Sequence, residues 1–184
     1  MDRSNHYEAA FEGWLQSQRL CYVAVDEARR CVLDLDEAPL KSLDFVIYGP
    51  RGARLVVDVK GRRFPSGKPG RERRVWKNWT MQEDAEALGR WAERFGPDYR
   101  GVLVFAYHIL PQVELPEDTE DLFVWRGRRY LLRAIDAREY HRHQRLLSPG
   151  WGTVFLPSAV FRELVRPVRY FTHALPLIPD ECPF

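Results

Sequence analysis

Cysteine is scarce in this chain: Cys21, Cys31 and Cys182 are odd in number, far apart and never in a CxxC pair. That pattern argues against a disulfide framework or a zinc site. The three read as reduced thiols, with Cys21 expected in the core. Long apolar runs are missing as well. No stretch approaches the roughly 18 residues of a membrane span, and Met1-Asp2-Arg3-Ser4-Asn5-His6 lacks the apolar run of a signal peptide. No membrane partner is therefore expected, and a cytoplasmic location is the default. There is no internal repeat, no low-complexity segment, no P-loop and no Ser/His/Asp triad pattern. Strong net charge is absent too: the total is +2, which excludes a generic polycation.

What is present is the composition of a folded protein. The 184 residues are 45% hydrophobic and 29% charged, which suits one core. One domain over residues 1–168 is expected, with the Pro-rich tail 169–184 lying along its surface.

Hydrophobic period places the elements. Tyr7, Phe11, Trp14 and Leu15 form one stripe of a helix from about Asn5 to Gln18, capped by Ser4 or Asn5. Leu20 to Val25 reads as a strand and Asp34 to Leu40 as a loop. Two apolar runs, Leu43 to Tyr48 and Arg54 to Lys60, flank the turn residues Gly49-Pro50-Arg51-Gly52 and predict a hairpin. Neither run alternates, so both faces are expected to be buried. Gly61 to Lys77 reads as a long loop. A helix from about Thr80 to Phe95 follows, with Leu88, Trp91 and Phe95 along one side, then a strand from Gly101 to Leu110. Asp121 to Ile135 predicts a second hairpin, turning at Arg126-Gly127-Arg128, and Pro157 to Val165 a short helix. His141-Arg142-His143 reads as a surface loop, since HxH without further ligands is a weak metal signal. Arg126, Arg128, Arg129 and Arg133 form a second basic cluster. The order predicts an α/β fold, a central mixed sheet covered by helices, with a C-terminal hairpin and helix added.

The chemistry concentrates on the first hairpin. Side chains alternate faces along a strand, so Asp58 and Lys60 point the same way. With the turn centred on Arg51, Asp44 lies opposite Asp58. Each charge alone is ordinary. Together they are not, because Asp is depleted in strands and opposed like charges are unfavourable unless something offsets them. A divalent cation would do so, and Mg²⁺ needs only one or two carboxylates besides water.

These residues resemble a known family. Leu43-Asp44-Phe45-Val46, a turn, then Val57-Asp58-Val59-Lys60 is similar to the D…(D/E)xK signature of the PD-(D/E)XK nuclease superfamily, which includes restriction endonucleases and archaeal Holliday-junction resolvases. The element order over roughly residues 6 to 110 resembles it as well, closest in pattern to the resolvase-like members. No Pro precedes Asp44, and Asp58 stands where Glu is commoner. The resemblance implies a restriction-endonuclease-like αβββαβ core and a metal-dependent nuclease hydrolysing DNA phosphodiester bonds. In it, Asp44, Asp58 and the Val59 carbonyl would hold Mg (or Mn), and Lys60 would assist the attacking water. It also implies a further carboxylate on the first helix: Glu8, which precedes Phe11, Trp14 and Leu15 at the family's spacing, with Glu12 as second choice. Gln82, opening the second long helix, is a weaker candidate. The alternative is a module of the same fold that binds nucleic acid without cutting it. A homodimer is compatible with cutting both strands, but no interface is readable.

Charge supports a nucleic-acid partner independently. From Lys60 to Lys77 the chain carries Lys60, Arg62, Arg63, Lys68, Arg71, Arg73, Arg74 and Lys77 against one acid, Glu72, a segment of +7, and the rest sums to −5. A concentrated basic segment is the electrostatic footprint of a phosphate backbone. Trp76 and Trp79 are placed to stack on bases, and Gly67 and Gly70 suggest a loop that orders on the nucleic acid.

Overall fold

A computed structural model describes residues 5–25, 41–68 and 70–174. The expected loop at Asp34 to Leu40, the thiols Cys31 and Cys182, Ser4 and the tail beyond residue 174 lie outside them.

Helix α1 (His6–Ser17) starts where Asn5 turns extended and its side chain accepts the Tyr7 N–H, satisfying one of the helix's open donors. It buries Phe11, Trp14 and Leu15. Strands β1 (Cys21–Ala24), β2 (Phe45–Tyr48) and β3 (Arg54–Phe64) form an antiparallel meander. After β3 the chain reaches the two-residue strand β4 (Thr80–Met81) and helix α2 (Gln82–Phe95), and returns as β5 (Tyr99–Ile109), parallel to β3. The hairpin β6 (Leu122–Trp125) and β7 (Arg128–Asp136) extends the sheet. Helix α3 (Ala137–His143), strands β8 (Arg145–Ser148) and β9 (Thr153–Phe155), helix α4 (Ser158–Leu164), strand β10 (Arg166–Pro167) and helix α5 (Val168–Thr172) complete it.

The main sheet runs β1-β2-β3-β5-β7-β10, with β6 also on β7, while β4, β9 and β8 make a small second sheet. It is mixed, and it is covered on both faces. Val46, Val56, Leu103 and Phe105 pack under α2, α3 and α4, whereas Phe45, Ile47, Val57, Val59 and Val104 pack under α1 and α5. The unbroken apolar runs of β2 and β3 follow from burial on both sides. The expected central mixed sheet flanked by helices is what the chain adopts.

Two glycines mark close approaches. A Cβ on Gly61 would lie 2.1 Å from the Tyr7 ring, and one on Gly101 would lie 2.8 Å from the Leu88 carbonyl oxygen. Their absence lets α1 and α2 press onto β3 and β5 from opposite faces.

Several expectations are corrected. Cys21 is exposed, on the edge strand β1. Residues 61–64 are strand rather than loop, because β5 offers β3 partners as far as Phe64↔Ile109. The remainder of that loop is closed at its base by paired Ser66–Arg73 backbone bonds of 3.1 and 2.7 Å. On α2 the buried side is Asp84, Ala85, Ala87, Leu88 and Ala92, so Phe95 stands outside, against Tyr99. Helix α5 buries Val168 and Phe171. His141 and His143 sit on α3, next to Gln144 and Glu139. Helices α3 and α5 and the small sheet had no counterpart in the sequence reading.

Candidate functional site

The site forms where β2 ends and β3 continues. The register Phe45↔Val57 puts Asp44 level with Asp58 just beyond the ladder. Asp44 no longer spans β2 and β3 with regular bonds. Its N–H donates to the Val57 carbonyl at 2.8 Å, and its carboxylate accepts the Val59 N–H at 2.6 Å. Val59 therefore turns its backbone groups to the side of β3 that β2 has vacated, beside the Asp44 carboxylate.

Asp58 and Lys60 share the α2 face of β3. The Lys60 Nζ lies 2.7 Å from Asp58 Oδ2 and 2.7 Å from Asp84 Oδ2. Asp84, at the third position of α2, is the residue the sequence reading passed over. It is almost wholly buried and accepts from the Thr80 hydroxyl and, at 3.1 Å, from the Met81 N–H. Its other oxygen pairs with Lys41. A near-start Asp on a helix reads as an ordinary dipole partner, so only the packing of α2 on β3 discloses its contact with Lys60.

Burial dominates the titration of these groups. It pushes Asp44 up to about 7, helped by the charges of Asp58 and Glu8 and resisted by the Val59 hydrogen bond and Lys60. Asp58, 8% exposed, is likewise raised by burial, with Lys60 opposing and Asp84 adding. Burial alone would lower Lys60, but Asp58 and Asp84 outweigh it and hold the ammonium above its ordinary value. Asp84 goes the other way: burial raises it, and Lys60, Lys41 and Thr80 together bring it below the usual carboxylate range. Two adjacent carboxylates held above their usual range form a site that a further cation would stabilise.

The remaining candidates divide. Glu8 bears electrostatically on Asp44 and receives the Asn5 amide at 2.6 Å. Glu12 instead accepts the Tyr22 hydroxyl at 3.1 Å. Gln82 is exposed and donates to Glu86 at 2.9 Å. Among the described residues no three His, Cys, Asp or Glu side chains make a metal-holding cluster. A two-carboxylate set still fits Mg²⁺, which keeps much of its water.

In the basic segment, Arg63, Lys68, Arg71, Arg73, Arg74 and Lys77 are exposed. Arg62 is not free: it donates to the Gly61 and Trp79 carbonyls, and its guanidinium lies 4.0 Å from the Trp79 ring. Trp76 is stacked on Phe64 with ring centres 3.7 Å apart and meets Tyr107 edge-on, so its face is spent in the core. In the second basic cluster, Arg129 and Arg133 donate to backbone carbonyls, among them Val113 and Glu120.

No protein-family model matches the chain, and no curated protein matches it in sequence. Among solved structures it is similar to the Holliday junction resolvase Hjc of Archaeoglobus fulgidus, at 11% sequence identity and a TM-score of 0.49, over 92% of this chain and 94% of that one.

Proposed function

We propose that the chain is a metal-dependent nuclease acting on DNA. The observation that carries this is the side-by-side placement of half-buried Asp44 and buried Asp58 where the β2–β3 ladder ends, both with raised carboxyl pKa, with Lys60 2.7 Å from Asp58. Asp44, Asp58 and the Val59 carbonyl are the groups that would hold Mg²⁺ or Mn²⁺, with Glu8 joining directly or through water. When bound, such an ion lowers the pKa of a coordinated water and neutralises charge developing on phosphorus. The chain's own part is to aim the two carboxylates, to keep bulk water off them by burial, and to set the Lys60 ammonium where it orients the attacking water or steadies the phosphate. The exposed arginines and lysines from Arg63 to Lys77 hold the backbone of the substrate by charge.

One observation favours a second reading, a module that binds nucleic acid without cutting it. Lys60 is gripped from both sides, by Asp58 and by Asp84, which holds it away from a substrate. The two readings separate in one experiment: cleavage of plasmid, linear and branched DNA with Mg²⁺, Mn²⁺ or chelator, alongside salt-dependent binding. Metal-dependent cleavage that falls by roughly 10²-fold or more in Asp58→Asn and Lys60→Ala is expected for the nuclease. Binding that persists while the wild type never cleaves gives the second reading. No salt-dependent binding at all overturns both.

A further inference from the structure

On the other face of the main sheet, past the start of α1, lies a cluster with no place in the carboxylate site. The register aligns Arg63 of β3 with His108 of β5 and His108 with Tyr130 of β7, one row across three strands. Alternation places all three on the face that α1 covers, as it does Arg128, two residues before Tyr130. Helix α1 closes the row with Tyr7, seated on Gly61, and His6, whose Nδ1 is hydrogen-bonded to the Tyr130 hydroxyl at 2.9 Å. The His108 ring stacks on Tyr130 at 5.5 Å and meets His6 edge-on at 5.9 Å.

The charge in this row is of one sign. Arg128, His6 and Arg63 are the charged groups that bear on His108, and Arg128 is the one that bears on His6. Neither Arg63 nor Arg128 has a carboxylate partner among the described residues. Among the described residues, two exposed guanidiniums thus stand beside two half-buried imidazoles and two phenols, with a surplus of donors and no acid. Such a surplus is unfavourable by itself and is relieved by an oxyanion. Planar guanidinium forks suit phosphate in particular, because they bind two of its oxygens at once.

We propose that Arg63, Arg128, His108 and His6 form a phosphate-binding subsite, taking either the terminal phosphate of a nucleic-acid strand or an internal backbone phosphate. It extends the nucleic-acid reading to one defined group, on residues separate from the carboxylate pair.

The test uses the full chain in chelator, so it fails or stands apart from cleavage. Imidazole resonances of His6 and His108 are followed by NMR during titration with inorganic phosphate, then with a short oligonucleotide bearing a 5′-phosphate or a 5′-hydroxyl. Saturable shifts are expected, with affinity lower by roughly tenfold or more in R63Q/R128Q, the loss that follows from removing charge-assisted bonds. Equal removal of charge on α2 and α3, in R90Q/R138Q, is expected to leave the affinity as it is. Tighter binding of the 5′-phosphorylated oligonucleotide supports a terminal phosphate. Equal binding of both oligonucleotides, weakened in R63Q/R128Q, supports a backbone phosphate. Imidazoles that do not respond to phosphate, or equal losses in both double variants, overturn the proposal. Both arginine pairs are exposed, and an unchanged melting temperature verifies the fold of each variant.

Discussion

Asp44 is worth following as a single titrating group. Its carboxyl moves from 3.8 in water to about 7 in the folded chain, so between these values the folded state holds a proton that the unfolded state has lost. A raised acid pKa therefore costs stability as pH climbs from about 4 to about 7, and the cost stays constant above that. A carboxyl raised from 3.8 to about 7 corresponds to a cost on the order of 4 kcal/mol. Urea unfolding at pH 5 and pH 8 is expected to show Asp44→Asn gaining on the wild type at the higher pH, and Mg²⁺ narrowing the gap by stabilising the wild type. A constant difference between the two proteins across pH would refute this account of Asp44. Asp84 carries the second expectation at this scale. Asp84→Asn keeps the shape but releases Lys60 from one of the two acids that hold it away from a substrate, so kcat for DNA cleavage should rise while KM and DNA affinity hold. A fall in kcat and affinity together would mean that Asp84 serves the fold rather than the lysine. Asp58 and Lys60 were legible in the sequence because strand alternation alone puts them together. Asp84 was not, because its meeting with Lys60 depends on where a distant helix lands.

Elements explain why the basic segment was only partly readable. Gly61 to Phe64, near its start, look like loop by composition, yet backbone pairing with β5 makes them strand. Trp76 follows a run of arginines and so reads as a base-stacking residue. In the fold the Phe64 ring claims it, a contact set by the length of β3 that local composition does not encode. The glycine between Lys60 and Arg62 has a role that the sequence did not announce. Gly61→Ala would drive a methyl into the Tyr7 ring. Overpacking of this kind typically costs about 1–3 kcal/mol, and here it also shifts α1, which carries Glu8 towards Asp44. A urea midpoint unchanged in this variant would show that α1 yields without cost.

At the scale of the whole molecule, a net charge of +2 conceals the division between a +7 segment and a balance of −5. DNA affinity should therefore depend steeply on salt although the protein is nearly neutral. Each phosphate contact removed by replacing Arg71, Arg73 or Arg74 with Gln should lessen the slope of log affinity against log salt by about 0.9. Arg62→Gln belongs to a different class: Arg62 is bound to the Trp79 carbonyl and ring, so its loss should appear as lowered stability. Equal slopes for the wild type and the loop variants would remove the loop from the interface. The layered order of sheet and helices was readable because apolar runs and turn residues repeat it locally. The small sheet was not, since Thr80 finds Val154 only across a long stretch of chain.

The parallel pairing of β3 with β5 has a kinetic consequence. The β2–β3 hairpin closes over a short turn, so the register that sets Asp44 level with Asp58 is local. Arg54 meets Tyr99, however, only after α2 has crossed the sheet, and closing so long a loop is slow. Asp84 travels on that helix. The lysine's second partner is therefore expected to arrive in the late, non-local step of folding, after the hairpin register has aligned the two acids.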